Sequence, residues 1–265
     1  LRDLSAQHRA PIIFAGDLFD RWNVQPELIN FALDHLPRMY AIPGQHDLPN
    51  HSWKDLKRSA FWTMVAAERI EMIWPGKPVE VAGACPMRLH GFPHGFEVAP
   101  LASPHELVME VAVVHSYIWT TKTGYPGAPD NLQLKNYADK LAGYGLAVFG
   151  DNHTGFTTRA GKCRVWNSGC LVRRKADEQV LSPTIGLLYQ DGSMGTHLLD
   201  VSEDVFLDAQ TTEKIIGRDA HSFLEELEAL DKSALDFREA VTRALRGRKV
   251  REDVSRIVLQ AMEEK

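Results

Sequence analysis

A chain of 265 residues has room for one large core, or for one domain with a small appendage. Hydrophobic residues make up 44% and charged residues 25%, an ordinary globular balance that excludes disorder and fibrous repeats; no apolar run approaches the roughly 18 residues of a membrane span. The net charge of −5 argues against holding nucleic acid by a broad basic surface, so any such contact has to be local, metal-assisted or shared with a partner.

The three cysteines, Cys85, Cys163 and Cys170, match neither a disulfide framework nor a zinc knuckle, which points to a reducing compartment such as the cytoplasm. The opening Leu1-Arg2-Asp3-Leu4 has no initiator Met and no signal pattern. The sequence is therefore expected to start inside a longer protein.

Residues 11–16 (Pro-Ile-Ile-Phe-Ala-Gly) read as a buried strand running into an acidic loop at Asp17. A helix follows, with Leu28, Phe31, Ala32 and Leu36 on one face, then a strand at 39–43 that ends in Gly44-Gln45-His46-Asp47. Units of this kind build parallel sheets whose polar groups collect at the carboxyl ends of the strands. Residues 52–70 read as one amphipathic helix with Ser52 as N-cap and Asp55 three residues on.

Strand-like pieces occupy residues 79–92. A strongly apolar strand at 107–114 delivers His115, and after a Gly- and Pro-rich loop another, at 146–149, delivers Gly150-Asp151-Asn152-His153. Short strands at 164–167, 184–190 and 196–201 are expected to form a second sheet packed on the first. From residue 220 the composition turns to charged helix with apolar stripes such as Leu235, Phe237, Val241 and Leu245, then Val254, Ile257, Val258 and Ala261.

Four blocks carry chemistry: Gly16-Asp17-Leu18-Phe19-Asp20, Gly44-Gln45-His46-Asp47, Val114-His115 and Gly150-Asp151-Asn152-His153. Singly, an Asp after a strand is more often a cap or turn former, and a strand-end His a hydrogen-bonded rim residue. Four together, each at a strand exit, outweigh that reading. Two divalent cations about 3.5 to 4 Å apart polarise a phosphoryl oxygen and generate hydroxide, and they need anionic oxygens and neutral imidazoles as ligands. Asp17 is suited to bridge two ions, with Gln45, His115 and Asp151 completing one position and His153 serving the other. His46, beside a ligand, is suited to sit over a scissile phosphate and protonate the leaving oxygen; with Asp20 it is a candidate catalytic residue.

These blocks, in this order, resemble the signature of the calcineurin-like metallophosphoesterases: GDxxD, GNHD, a strand-end His and GHxH, here over roughly residues 11–201. The resemblance implies an α/β fold, a two-sheet sandwich flanked by helices, with a two-metal centre at the strand ends. It also implies a metal-dependent hydrolase loaded with two divalent ions, manganese first and iron or zinc as alternatives. By position Asp17 matches the bridging ligand, Gln45 the Asn ligand, His46 the catalytic His, and His115, Asp151 and His153 the remaining ligands. The family's opening Asp-x-His pair has no counterpart, since Asp3 and His8 do not form it, so the first metal position is expected to be incomplete. Gln45 stands for Asn, and Asp151 for His, a change that favours a harder cation such as Mn²⁺ over Zn²⁺.

Gly-Asp-Leu-Phe-Asp resembles the form in SbcD-type DNA-repair nucleases, and residues 167–174 (Asn-Ser-Gly-Cys-Leu-Val-Arg-Arg) are similar to their Asn-x-Gly-Ser-x-x-Arg-Arg stretch. Arg173 and Arg174 are then candidates for holding DNA phosphates, or a solvated pair at a strand end. Trp22, Trp53 and Trp62 are candidate base-stacking platforms or core residues. The resemblance implies a catalytic domain over 1–201 lacking its first strand, a linker or small cap at 202–219, and a helical appendage at 220–265. That appendage would dock on a coiled-coil ATPase of the SbcC kind, pack on the domain, or form a homodimer. The expected function is DNA exo- or endonuclease action in repair. The alternatives are a phosphatase or phosphodiesterase for a protein, nucleotide or small substrate, and a non-catalytic scaffold. His51, His90 and His94 stay unranked as cleft residues.

Overall fold

The computed structural model describes residues 1–206 apart from Ala84, Pro126, Arg174 and Lys175. Arg174 and the expected appendage at 220–265 thus lie outside the described residues, as does most of the 202–219 linker. By its internal contacts, Leu1–Glu203 forms one unit.

The chain enters through α1 (Arg2–His8), β1 (Ile12–Phe14), α2 (Pro26–His35), β2 (Met39–Ala41), α3 (Ala60–Ala66) and β3 (Ile70–Met72). β1, β2 and β3 pair in that order, all parallel, as strand–helix–strand connections require. Next come β4 (Val79–Val81), β5 (Met87–Phe92), β6 (Met109–His115), α4 (Leu134–Tyr137), β7 (Leu146–Gly150), β8 (Phe156–Ala160) and β9 (Cys163–Asn167). They build a second sheet in the order β4-β5-β6-β7-β9-β8, parallel at its centre and antiparallel at both edges. β10 (Thr184–Leu188) and β11 (Met194–Leu198) pair only with each other, as an antiparallel hairpin.

The core alternates with the strands. On β6, Val111 and Val113 point into a cluster with Ala15, Ile42, Ile73 and Leu89, which joins the two larger sheets face to face. Ala112 and Val114 point the other way, to Ile118, Leu134, Tyr137 and Phe149. Both faces of β6 are covered, which is why it reads as an unbroken apolar run. Ile12, Phe14, Met39 and Ala41 turn their outer face to α2 and α3, where Phe61 and Met64 are fully buried. The architecture is a mixed α/β fold of stacked sheets flanked by helices, as expected. No helix among the described residues is long and apolar enough to cross a membrane.

Several local expectations are corrected. On α2 the stripe that packs is Ile29, Ala32, Leu33 and Leu36. Leu28 and Phe31 are 45% and 59% exposed, and Phe31 stacks on His35 at 4.1 Å instead. The helix is apolar around much of its circumference, so two stripes are legible and only packing chooses between them.

Residues 52–70 are not one helix. A 3-10 segment, Trp53–Arg58, stops at Ser59, whose backbone is extended (φ −98°, ψ 158°). The Ser59 hydroxyl donates to Leu56 O and accepts from Trp62 N, ending one segment and capping α3. Ile70 already belongs to β3. The third expectation, a sheet of 164–167 with the later strands, also fails. β9 joins the main sheet beside β7, and β8 before it is an additional strand.

Candidate metal centre

β1 and β2 run parallel in one sheet, β6 and β7 in the other, and hydrogen bonds among the residues that follow them bring their carboxyl ends to one rim. His115 ends β6 and is in register with Gly150 of β7, so Asp151 follows directly beside it. Asp17 and Asp151 both adopt left-handed backbone (φ 57° and 84°), which turns their side chains back over the strand ends. Two glycines make the close approach possible. A Cβ on Gly16 (φ 94°) would lie 2.4 Å from His115 Nδ1, and one on Gly44 would lie 2.1 Å from Asp17 Oδ1.

His115 is fully buried and its Nδ1 lies 2.6 Å from Ala15 O, a bond that only Nδ1–H can make. Nε2 is thereby aimed at Gln45 Oε1, 2.6 Å away, and at Asp17 Oδ2, 3.3 Å away. Gln45 Nε2 donates to Asp151 Oδ1 at 2.9 Å, which fixes its amide with the oxygen toward His115. One ligand atom from each of Asp17, His115 and Asp151 lies within 4.8 Å of the others. Two oxygens and an imidazole nitrogen thus point their lone pairs at one another. That is unfavourable unless a proton or a cation sits among them.

Burial lowers the His115 pKa, but the hydrogen bond and charge of Asp17 outweigh it and push it above the ordinary value. Burial raises the Asp17 carboxyl, yet His115 and, less strongly, His46 hold it below the usual carboxylate range. The donor set of one carboxylate shared by two neighbours, an amide oxygen, a neutral imidazole and a second carboxylate suits a divalent cation. The residues present therefore fit the ion the site calls for.

Asp47 holds the loops that carry this set. It is completely buried; Oδ2 accepts from Gly44 N (3.0 Å) and Leu18 N (3.2 Å), and Oδ1 from Phe19 N (3.2 Å). It thus staples the first block to the second. Burial, with the charge of Asp17 added, pushes its carboxyl up to about 6 against the pull of those amides. Asn152 and Asn167 do the same for the last block. Asn152 Nδ2 donates to Ile118 O and its Oδ1 accepts from Thr154 N, while Asn167 Nδ2 donates to Asn152 O. All three stand inside stretches the sequence singles out, but their part in holding the loops could not be read from it.

His46 stands at the rim with its side chain 49% exposed; its backbone N–H donates to Asp17 Oδ1 at 2.9 Å, and its Nε2 lies 4.0 Å from Asp17 Oδ2. It is next to the ligand set without joining it. Asp20 is exposed, 3.8 Å from the Arg21 guanidinium, and belongs to neither group of converging ligands among the described residues. His153 is grouped with Cys170 and Glu178. Arg173 donates to Gln179 O and Val201 O, so part of its guanidinium ties down the chain's own backbone.

Of the unranked histidines, His51 lies by the site with Nδ1 3.1 Å from Gln45 O, and its ring is 6.2 Å from that of His94. Burial lowers the His94 pKa, with His115 adding to it and Asp151 and Asp17 opposing. His90 is elsewhere, 2.7 Å from Glu110. Trp53 and Trp62 pack against the core under α3, while Trp53 also meets Phe96 and Trp74 edge to face.

Carboxylates, an amide oxygen and an imidazole gathered at strand ends, with a further histidine beside them, suit metal-dependent phosphoester hydrolysis. The chain matches the calcineurin-like phosphoesterases over residues 1–154, a stretch that contains all four blocks, and it belongs to that family, whose members bind two divalent metals. No curated protein matches it.

Proposed function

We propose that this phosphoesterase cleaves phosphodiester bonds in DNA. The observation that carries the hydrolytic part is the convergence of Asp17, Gln45, His115 and Asp151 on one point, with lone pairs facing inward. Divalent ions held there supply Lewis acidity and lower the pKa of bound water. Asp17 and Asp151 provide the anionic oxygens and His115 the nitrogen; Gln45 is locked in the orientation that offers oxygen. His46, exposed beside Asp17, is placed to donate a proton to the leaving oxygen of a substrate lying over the rim.

A nucleic-acid substrate is favoured by the aromatic ledge beside the rim. His94 feels the charges of His115, Asp151 and Asp17, and two residues on, Phe96 is 38% exposed and packs on Trp53, which in turn meets Trp74, 39% exposed. Partly exposed aromatic side chains can stack on bases whatever the sequence. The proposed partner, a coiled-coil ATPase, rests on the resemblance to SbcD-type nucleases and on the amphipathic pattern of residues 220–265.

The test is manganese-dependent cleavage of labelled single- and double-stranded DNA, with His46→Ala beside it. Cleavage that requires both the metal and His46 supports the nuclease. Metal binding with hydrolysis of a chromogenic phosphodiester and no DNA cleavage would move the assignment to a small-substrate phosphodiesterase.

A further inference from the structure

β8 and β9 form a hairpin whose two-residue turn, Gly161-Lys162, opens on left-handed backbone at Gly161 (φ 60°). Its register sets Arg159 directly across from Arg164. Side chains opposite one another in an antiparallel pair share a face, and like charges there repel. Both arginines and Lys162 line a cavity of about 270 Å³, which Leu146, Leu188 and Asp191 help to enclose. A Cβ placed on Gly192 would lie 3.8 Å from Arg164 Nη1, so this guanidinium reaches from β9 to the turn between β10 and β11. Its backbone is anchored, since Arg164 N–H donates to Gly145 O at 3.0 Å. Among the described residues no carboxylate pairs with Arg159 or Lys162. Arg164 feels the charge of Asp191, but that carboxylate is already engaged by Ser193, whose N–H donates to it at 2.8 Å. Three cations thus face one carboxylate and leave two positive charges over, in a chain whose net charge is −5.

We propose that this cavity binds a phosphate dianion, either free or as the head of a small phosphorylated molecule. Two guanidiniums offer planar forks that match phosphate oxygens, and Lys162 adds a point charge. A dianion brings two negative charges to the two left over and removes the repulsion across the hairpin. Leu146 and Leu188 give an apolar floor for an organic body. The volume lies just below the usual range of small-molecule pockets, about 300 to 1,000 Å³, which favours a compact ligand over a nucleic-acid backbone. Leu146 opens β7, whose far end leads to Asp151 roughly 16 Å along the strand, so the cavity sits at the opposite strand ends from the metal rim. The proposal does not rest on which substrate is hydrolysed at that rim.

The experiment is arginine modification of the full 265-residue chain by phenylglyoxal, read residue by residue in peptide maps at constant ionic strength. The ligands are inorganic phosphate and phenylphosphonate, a dianion on an aryl body whose carbon–phosphorus bond is not an ester. Both slow the modification of Arg159 and Arg164 and leave that of Arg38, 69% exposed and paired with Glu71, unchanged. Lys162→Gln, which keeps both arginines as reporters, raises the ligand concentration needed for protection by more than about tenfold, the loss of one charge-assisted bond. Stronger protection by phenylphosphonate supports the site as one for an organic phosphate, and equal protection supports it as one for free phosphate. Protection by neither ligand, equal protection of Arg38, an unaltered concentration in Lys162→Gln, or protection by duplex DNA alone would each overturn the proposal.

Discussion

His115 donates from Nδ1 to Ala15 O and so presents Nε2 to Asp17 and Gln45, while His46 stands beside the same carboxylate without joining the ligand set. Two neighbouring histidines are therefore expected to have separable roles. His115→Ala is expected to lower Mn²⁺ affinity by more than about tenfold in calorimetric titration. His46→Ala leaves that affinity unchanged and lowers turnover by about 10² or more. Equal loss of metal in both variants would make His46 a ligand. Gly44→Ala tests the packing with no ligand removed, since its Cβ would meet Asp17 Oδ1 at 2.1 Å; metal affinity falls as Asp17 is displaced.

At this scale the sequence was legible where an apolar strand ended in a polar block, as at Asp17, Gln45, His115 and Asp151. Spacing alone could not show that Cys170 and Glu178 are the neighbours that His153 meets.

Among the elements, α3 depends on a side chain that reads as unremarkable in the sequence. Ser59→Ala removes the hydroxyl that accepts from Trp62 N and is expected to cost about 1 kcal/mol in urea unfolding. Ser52→Ala, at the position the sequence favours as a cap, should change stability by less than about 0.5 kcal/mol, because Ser52 makes no side-chain cap bond. The reverse result would mean that one continuous helix forms after all. Ser52 and Asp55 had the spacing of a capping box, yet Trp53–Arg58 closes as a 3-10 segment and the helix starts afresh at Ala60. β6 and β7 were legible as uninterrupted apolar runs. β8 was not, because its Thr157 and Arg159 face solvent at a sheet edge and leave a weak pattern.

Across the whole molecule, acid sensitivity is written into β6. Glu110 is only 3% exposed on its side chain, yet Arg88, His90 and the His105 amide all reach it. Burial raises its pKa, but the hydrogen bonds from His90 and His105 and the nearby charges outweigh that and hold it below the ordinary 4.5. The folded state thus releases this proton more readily than the unfolded chain. Its stabilisation is complete above about 4.5 and is lost as pH falls through the lower folded value. Melting temperature measured against pH should therefore drop on that acid limb, and Glu110→Gln should flatten it; an unchanged slope would assign the acid loss to other groups.

The sequence distances within the metal rim have a further consequence. Ala15 and His115 are 100 residues apart, Gln45 and His115 are 70 apart, and Gln45 and Asp151 are 106 apart. None of these pairs can meet until both sheets have formed, so the unfolded chain offers an ion only scattered, weak donors. An ion held there acts as a clasp across the longest loops of the domain. Free metal at a hundred times its dissociation constant would add about 2.7 kcal/mol to folding. The melting temperature then becomes a gauge of metal supply, and a chelator alone, with no change in sequence, would make the same protein a less stable one.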